Sequence, residues 1–192
     1  MKVMRLLSSL KHDESERGIF HLGRALVKNE HTSIIISSAD EENDLVKRLK
    51  RDGNIYHQLY MNKKSWLSLL QVAPLRRLIE KYDPDVIHVH SRTPAWVLHL
   101  ALRRARVKRR PKLVSTMYGF YPINKYSQAL LDVDTIITVS DSVTNYLKKG
   151  LRREEADPKV IKRIYRGIDT RRYPYRHNPS VYWLRHTFAE YP

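Results

Sequence analysis

Residues 85–92 read Asp-Val-Ile-His-Val-His-Ser-Arg, a short β-branched run that ends abruptly in polar side chains. Asp83-Pro84 stops whatever precedes it, so Asp85 to Val89 reads as a buried-type strand. His90, Ser91 and Arg92 then stand at its carboxyl end. In open parallel α/β sheets, ligands bind beyond those ends, which makes these three residues candidates for binding.

Outward from this strand the pattern alternates. Upstream, Val3 to Leu7 reads as a strand, and Ile19, Leu22, Ala25 and Leu26 recur at helical spacing. Ser33 to Ser37 is a second strand, 41–52 a charged surface helix and 55–60 a third strand. A longer helix is expected over 65–82, with Trp66, Leu69, Leu70, Ala73, Leu75, Leu78, Ile79 and Tyr82 on one broad face and a kink at Pro74. Downstream, helix 94–105, strand 113–116 and strand 134–139 follow, and Ser140 or Asp141 caps a helix through Leu147. A last strand is expected over 160–165. Strands alternating with helices of this length imply right-handed crossovers and a doubly wound, Rossmann-like parallel α/β sheet. From Gly167 the rhythm stops. The segment carries Tyr173, Tyr175, Tyr182, Trp183 and Phe188, aromatics that either dock on a neighbour or pack back on the domain.

Composition bounds the function. The chain has 192 residues, enough for one well-buried domain, and a net charge of +16 that implies a polyanionic partner. There is no cysteine, which removes disulfides, thiolate zinc sites and cysteine nucleophiles. The amino terminus lacks a signal-peptide apolar run and no stretch approaches a membrane span. The expected location is the cytoplasm, soluble or peripheral on the inner face of the cytoplasmic membrane.

Several loops offer chemistry. His88 and His90 lie two apart on one strand and share a face, as two metal ligands would, but no third ligand stands nearby, and structural histidines are the favoured reading. Ser8 to Arg17, followed by Gly18 at an expected helix start, occupies the place where free backbone N–H groups meet a phosphate. That loop matches neither a dinucleotide fingerprint nor a P-loop, and both anion binding and a solvated turn stay open. At Tyr118-Gly119 the glycine is expected to supply an unusual backbone angle, or the flanking aromatics form a packed corner. Arg92, Tyr118-Gly119, Ser140 and Arg166 thus end four strands on one rim.

Taken together, Glu16-Arg17-Gly18, His90-Ser-Arg-x-Pro-Ala-Trp96, Ser115-Thr-x-x-Gly-Phe-Tyr121, Ile137-Thr-Val-Ser140 and Arg166-Gly-Ile-Asp169 occur in an order that resembles the amino-terminal half of glycosyltransferase family 4. These are retaining sugar transferases of GT-B architecture, common in lipopolysaccharide and exopolysaccharide synthesis. The resemblance implies an acceptor-binding Rossmann-like domain over 1–166 and a linker over 167–192 toward a second, nucleotide-sugar-binding domain supplied in cis or in trans. It implies His90, Ser91 and Arg92 on the acceptor, and Glu16, Arg17, Gly18, Tyr118, Gly119, Ser140 and Arg166 along the donor side of the cleft. Glu16 to Gly18 would lie near the donor phosphates, Gly119 over the transferred sugar, and Arg166-Gly167 at the hinge. No metal or other cofactor is implied; the nucleotide-sugar is a co-substrate, and the acceptor a glycan or lipid-linked molecule. The chain departs from the family in having Asp13-Glu14-Ser15 where paired glycines are usual and Tyr118 where a histidine is common. Because the chain stops at Pro192, before the expected second domain, it is expected to be inactive alone.

The competing class is a nucleic-acid- or anionic-surface-binding domain without catalysis. Seven of the ten residues 103–112 are Lys or Arg, and Arg103, Arg104 and Arg106 are placed to neutralise phosphates. No nucleic-acid-binding module accompanies them, so the transferase reading is favoured. A basic rim also suits anionic lipid. Lys63 and Lys64 before Trp66, Leu67, Leu69 and Leu70 match an interfacial helix, although the same leucines recur at core spacing.

Overall fold

The computed structural model describes residues 1–10, 14–62, 65–151, 161–167 and 170. In chain order the elements are β1 (Lys2–Leu6), α1 (Glu14–Lys28), β2 (Thr32–Ser37), α2 (Asp44–Arg51), β3 (Ile55–Gln58), α3 (Trp66–Leu69) and α4 (Val72–Tyr82). There follow β4 (Val86–Val89), α5 (Arg92–Leu102), β5 (Lys112–Met117), α6 (Gln128–Leu131), β6 (Thr135–Thr138), α7 (Asp141–Gly150) and β7 (Ile161–Arg163). All seven strands are parallel, in the order β3-β2-β1-β4-β5-β6-β7.

Both sheet faces are buried, as parallel sheets require. On one face Met4, Leu6, Ile34, Ile36, Ile87 and Val89 meet helices α4 to α7, with Leu75, Ile79, Leu98 and Leu147 fully buried. On the other, Ile35 and Tyr56 pack with Ile19 and Phe20 of α1 and Leu45, Val46 and Leu49 of α2. Helix α2 is therefore anchored by an apolar edge rather than lying free on the surface.

Two helical expectations change. The span 65–82 is broken into α3 and α4, because the ring of a helical proline collides with the carbonyl four residues back, here Leu70. Pro74 consequently sits in the first turn of α4, where a missing N–H costs nothing. The expected core face is also split: Leu75 and Ile79 are fully buried, but Trp66, Leu69 and Leu70 are exposed. In α1 the buried face is Ile19, Phe20 and Gly23, and Leu22 and Ala25 point outward. The aromatics from Tyr173 to Phe188 lie outside the described residues.

Candidate functional site

The sheet order reverses direction between β1 and β4. Strands run leftward from β1 to β3, and the chain then crosses back to place β4 on the other side of β1. A crevice opens at such a switch point, beyond the carboxyl ends of the two strands. Here Arg5 pairs in register with His88 and Leu6 with Val89, and the backbone N–H of His90 donates to the Leu6 carbonyl at 3.0 Å.

Beneath the crevice lies a buried cluster. Arg5 is fully buried and donates to the Ile19 carbonyl at 2.6 Å, to Ser33 Oγ at 3.2 Å and to Asn54 Oδ1 at 3.4 Å, all neutral acceptors. Burial pulls its pKa down to about 10. The His88 and His90 rings lie side by side, 4.1 Å between centroids. His88 Nε2 bonds to Thr116 Oγ1 at 2.7 Å and His90 Nδ1 to Tyr118 Oη at 2.7 Å. Burial, reinforced by the Arg5 charge, pulls His88 down to about 4, and burial with His88 and Arg5 holds His90 well below the usual imidazole range. Both rings are therefore neutral near pH 7. Burial likewise raises the Tyr118 phenol, keeping it protonated.

At the rim above, Arg92 is the first residue of α5 and half-buried. Its guanidinium lies 5.3 Å from the Tyr121 ring centre and 4.9 Å from that of Tyr126. Among the described residues no hydrogen bond or ion pair engages it. Tyr126 is itself fixed, its Oη 2.5 Å from Thr93 Oγ1. The result is a cation held in place by two rings with its N–H fork unspent, a form suited to a phosphate or carboxylate. Ser91 Oγ, at the N-cap of α5, is buried without a partner among the described residues, as is His90 Nε2.

The structure gathers part of the expected set. His90, Tyr118 and Arg166 are contiguous: the phenol bonds the imidazole, and the Arg166 guanidinium sits 5.8 Å from the Tyr118 ring centre. His90, however, is buried and reaches the rim through Tyr118 rather than presenting its own ring. Ser140 Oγ is occupied as the cap of α7, accepting from the Val143 N–H at 3.2 Å. Gly119 has no positive φ; the only described glycine that does is Gly53, so the expected unusual angle is absent and Gly119 contributes open space instead. Gly18 is not at a helix start. Helix α1 begins at Glu14, which places the Gly18 N–H beyond the free donors of the first turn. The side chains of Glu16 and Arg17 lie outside the described residues. Of the two histidines read as a metal pair, His88 bonds Thr116 and His90 bonds Tyr118 through one ring nitrogen each.

Residues 15–172 match Glycosyltransferase Family 4. The chain belongs to that family. Among curated proteins, one named as a glycosyltransferase, EpsD of Bacillus subtilis (strain 168), is 28% identical over 114 residues, which is 52% of this chain and 28% of EpsD. Among solved structures, a glycosyltransferase from Rickettsia africae ESF-5 is 25% identical with a TM-score of 0.71, covering 99% of this chain and 49% of that one. The lipopolysaccharide outer core galactosyltransferase WaaB in its apo form has a TM-score of 0.67 at 12% identity, covering 88% and 46%. Anabaena HepE, solved with UDP and glucose, has a TM-score of 0.63 at 21% identity, covering 98% and 50%. The chain thus spans about half the length of these structures.

The sheet of this family 4 chain is the Rossmann-like α/β fold of GT-B glycosyltransferases. Its rim joins cations to aromatic faces, and sequence reasoning missed three of the parts. Tyr126 completes the Arg92 cradle, Thr116 bonds His88, and Asp141 at the start of α7 pairs with Arg163 and accepts from Tyr165 Oη at 2.7 Å. Arg5 had a visible signal, a single cation inside Val-Met-Arg-Leu-Leu.

Proposed function

We propose that this chain is the acceptor-binding domain of a retaining glycosyltransferase, which moves a sugar from a nucleotide-sugar to a cell-surface glycan or lipid-linked acceptor. The observation that carries the reading is Arg92, a guanidinium fixed between Tyr121 and Tyr126 at the switch-point rim of a family 4 fold. Its two-point donors clamp an anionic group of the acceptor, and His90 and Ser91 shape the floor beside it. Tyr118, Gly119 and Arg166 form the donor side, where Gly119 leaves room for the transferred sugar and Arg166 adds positive charge toward the leaving diphosphate. The nucleotide itself is held by a second domain, in cis or in trans. No metal takes part: positive side chains stabilise the departing diphosphate while the acceptor hydroxyl attacks on the same face of the sugar, the bond from the anomeric carbon to the diphosphate oxygen breaks, and the hydroxyl proton passes to that departing oxygen; positioning supplies much of the rate. The chain works at the inner face of the cytoplasmic membrane.

Transfer assays on the protein paired with its donor domain test this, using labelled nucleotide-sugars and a lipid-linked glycan. Arg92→Ala should cut acceptor turnover by about tenfold or more. Loss of two ring contacts should lower stability by only about 1 kcal/mol. Normal turnover together with a large stability loss would make Arg92 a packing residue and overturn its role.

A further inference from the structure

The loop after β5 leaves Phe120 standing in solvent, with 62% of its surface exposed, yet the ring is held in place. It meets Tyr146 of α7 edge to face, 5.1 Å between centroids and 78° between planes, and the Tyr146 hydroxyl donates to the Tyr121 carbonyl at 2.8 Å. The Tyr121 and Tyr126 rings hold Arg92, and Trp96, one turn along α5 and 40% exposed, donates its Nε1–H to the Tyr126 carbonyl at 2.9 Å. Phe120, Tyr146, Tyr121, Arg92, Tyr126 and Trp96 thus form one continuous row of contacts, drawn from α5, α7 and the loop 118–127.

The polar edges of this row are turned inward. The Trp96 N–H and the Tyr146 hydroxyl bond backbone carbonyls and the Tyr126 hydroxyl bonds Thr93, so the row offers to solvent the rings of Phe120 and Trp96. Between them lies the Arg92 guanidinium, which no hydrogen bond or ion pair engages among the described residues. A bilayer contact has the opposite form, with Trp N–H and Tyr O–H groups directed at the headgroups. The segment that builds most of the row also carries no repelling charge for an anion: from Val86 to Leu131 there is no Asp or Glu.

We infer that this row binds an acidic oligosaccharide, with sugar rings stacked on Phe120 and Trp96 and a carboxylate of the chain on Arg92. A pyranose carries its hydroxyls around its rim and a patch of C–H groups on a face, and their slight positive charge suits the negative face of an aromatic ring. Rings already fixed lose little freedom when a ligand stacks on them. Arg92 and its two tyrosines intervene between Phe120 and Trp96, so a ligand that uses both rings is a chain of sugars rather than one. Within the row Arg92 is the single cation, and one guanidinium matches the single charge and planar shape of a uronate.

That the bound chain is the acceptor rests on the transferase reading, but its binding does not, and titration calorimetry without any nucleotide-sugar separates the two. The 192-residue chain is titrated with hexagalacturonate, with the methyl ester of the same chain, which lacks the charge, and with farnesyl phosphate as a lipid probe. Hexagalacturonate should bind saturably and the ester about tenfold more weakly. Phe120→Ala and Trp96→Ala should each weaken hexagalacturonate by about tenfold, and Phe120→Trp and Trp96→Tyr, which keep a ring, should restore it. The melting temperature of Phe120→Ala should hold, since that ring is exposed. Arg92→Gln should erase the preference for the acid over the ester. Absence of saturable hexagalacturonate binding, equal affinity of the wild-type chain for acid and ester, or undiminished binding by Phe120→Ala would each overturn the proposal. So would farnesyl phosphate binding that Phe120→Ala abolishes, which would make the row a lipid cradle.

Discussion

The residues under the rim couple the fold to pH. In the unfolded chain His88 titrates near 6.5, whereas burial and the Arg5 charge hold it near 4 in the fold. As pH falls below 6.5 the unfolded chain takes up a proton that the folded chain refuses, so this contribution is complete above the unfolded pKa and is lost as pH drops toward 4. The loss by pH 4 is roughly 3 kcal/mol for a shift of this size. Urea unfolding at pH 7 and at about pH 4.5 tests it: His88→Gln should shrink the difference in stability between the two conditions by about 2 kcal/mol. An unchanged difference would place the acid sensitivity in other groups. The sequence displayed His88 and His90 on one strand and one face, and their ring centres lie 4.1 Å apart in the fold. Their partners were hidden, because Thr116 and Tyr118 each lie 28 residues further on, and only the register of β4 against β5 brings them across.

Among the elements, α1 holds two glycines with opposite roles. A methyl group at Gly18 would meet nothing within 4 Å, so Gly18→Ala should add about 0.5–1 kcal/mol through helix propensity alone. At Gly23 the same methyl would stand 2.5 Å from Asn54 Oδ1 and 2.6 Å from Arg5 Nη2, two buried groups that bond each other. Gly23→Ala should therefore cost about 1–3 kcal/mol by overpacking. Denaturation midpoints that move in opposite directions would bear this out, and equal shifts would mean that Arg5 and Asn54 yield easily. Helix α1 was legible from Ile19 and Leu26, but its buried face was not, since Leu22 fits the apolar period and still points outward. What turns the face is Arg5 beneath the helix, which bonds the Ile19 carbonyl and needs Gly23 above it. Helix α6 escaped the sequence reading for another reason: four residues are too short to show a period. The αβ alternation survived these local errors because β2, β4 and β6 are β-branched runs that stand out between helical periods. Asp83 closes α4 in the left-handed region, at φ 46°, immediately before Pro84.

For the whole molecule, the arrangement of charge and the share of its relatives that the chain spans bear on the same question, whether it binds a nucleotide-sugar by itself. The net charge of +16 favours anions in general. Yet the rim cations within the described residues include Arg92, held between two rings, Arg163, paired with Asp141, and Arg166, above Tyr118, while the densest basic stretch lies at the other end of the sheet. The Gly18 N–H lies beyond the free first-turn donors of α1, so Gly18 itself offers no backbone donor to a phosphate. Nucleotide affinity needs a base pocket and a diphosphate site together, and general attraction to an anion supplies neither. Titration calorimetry of the 192-residue chain with uridine, guanosine and adenosine diphosphate sugars should give no saturable heat at micromolar concentrations. Weak, salt-sensitive heats shared equally by all three and by pyrophosphate would agree with an unspecific basic surface. Saturable micromolar binding that discriminates one nucleotide would move the donor site onto this domain and remove the need for a second one to hold it.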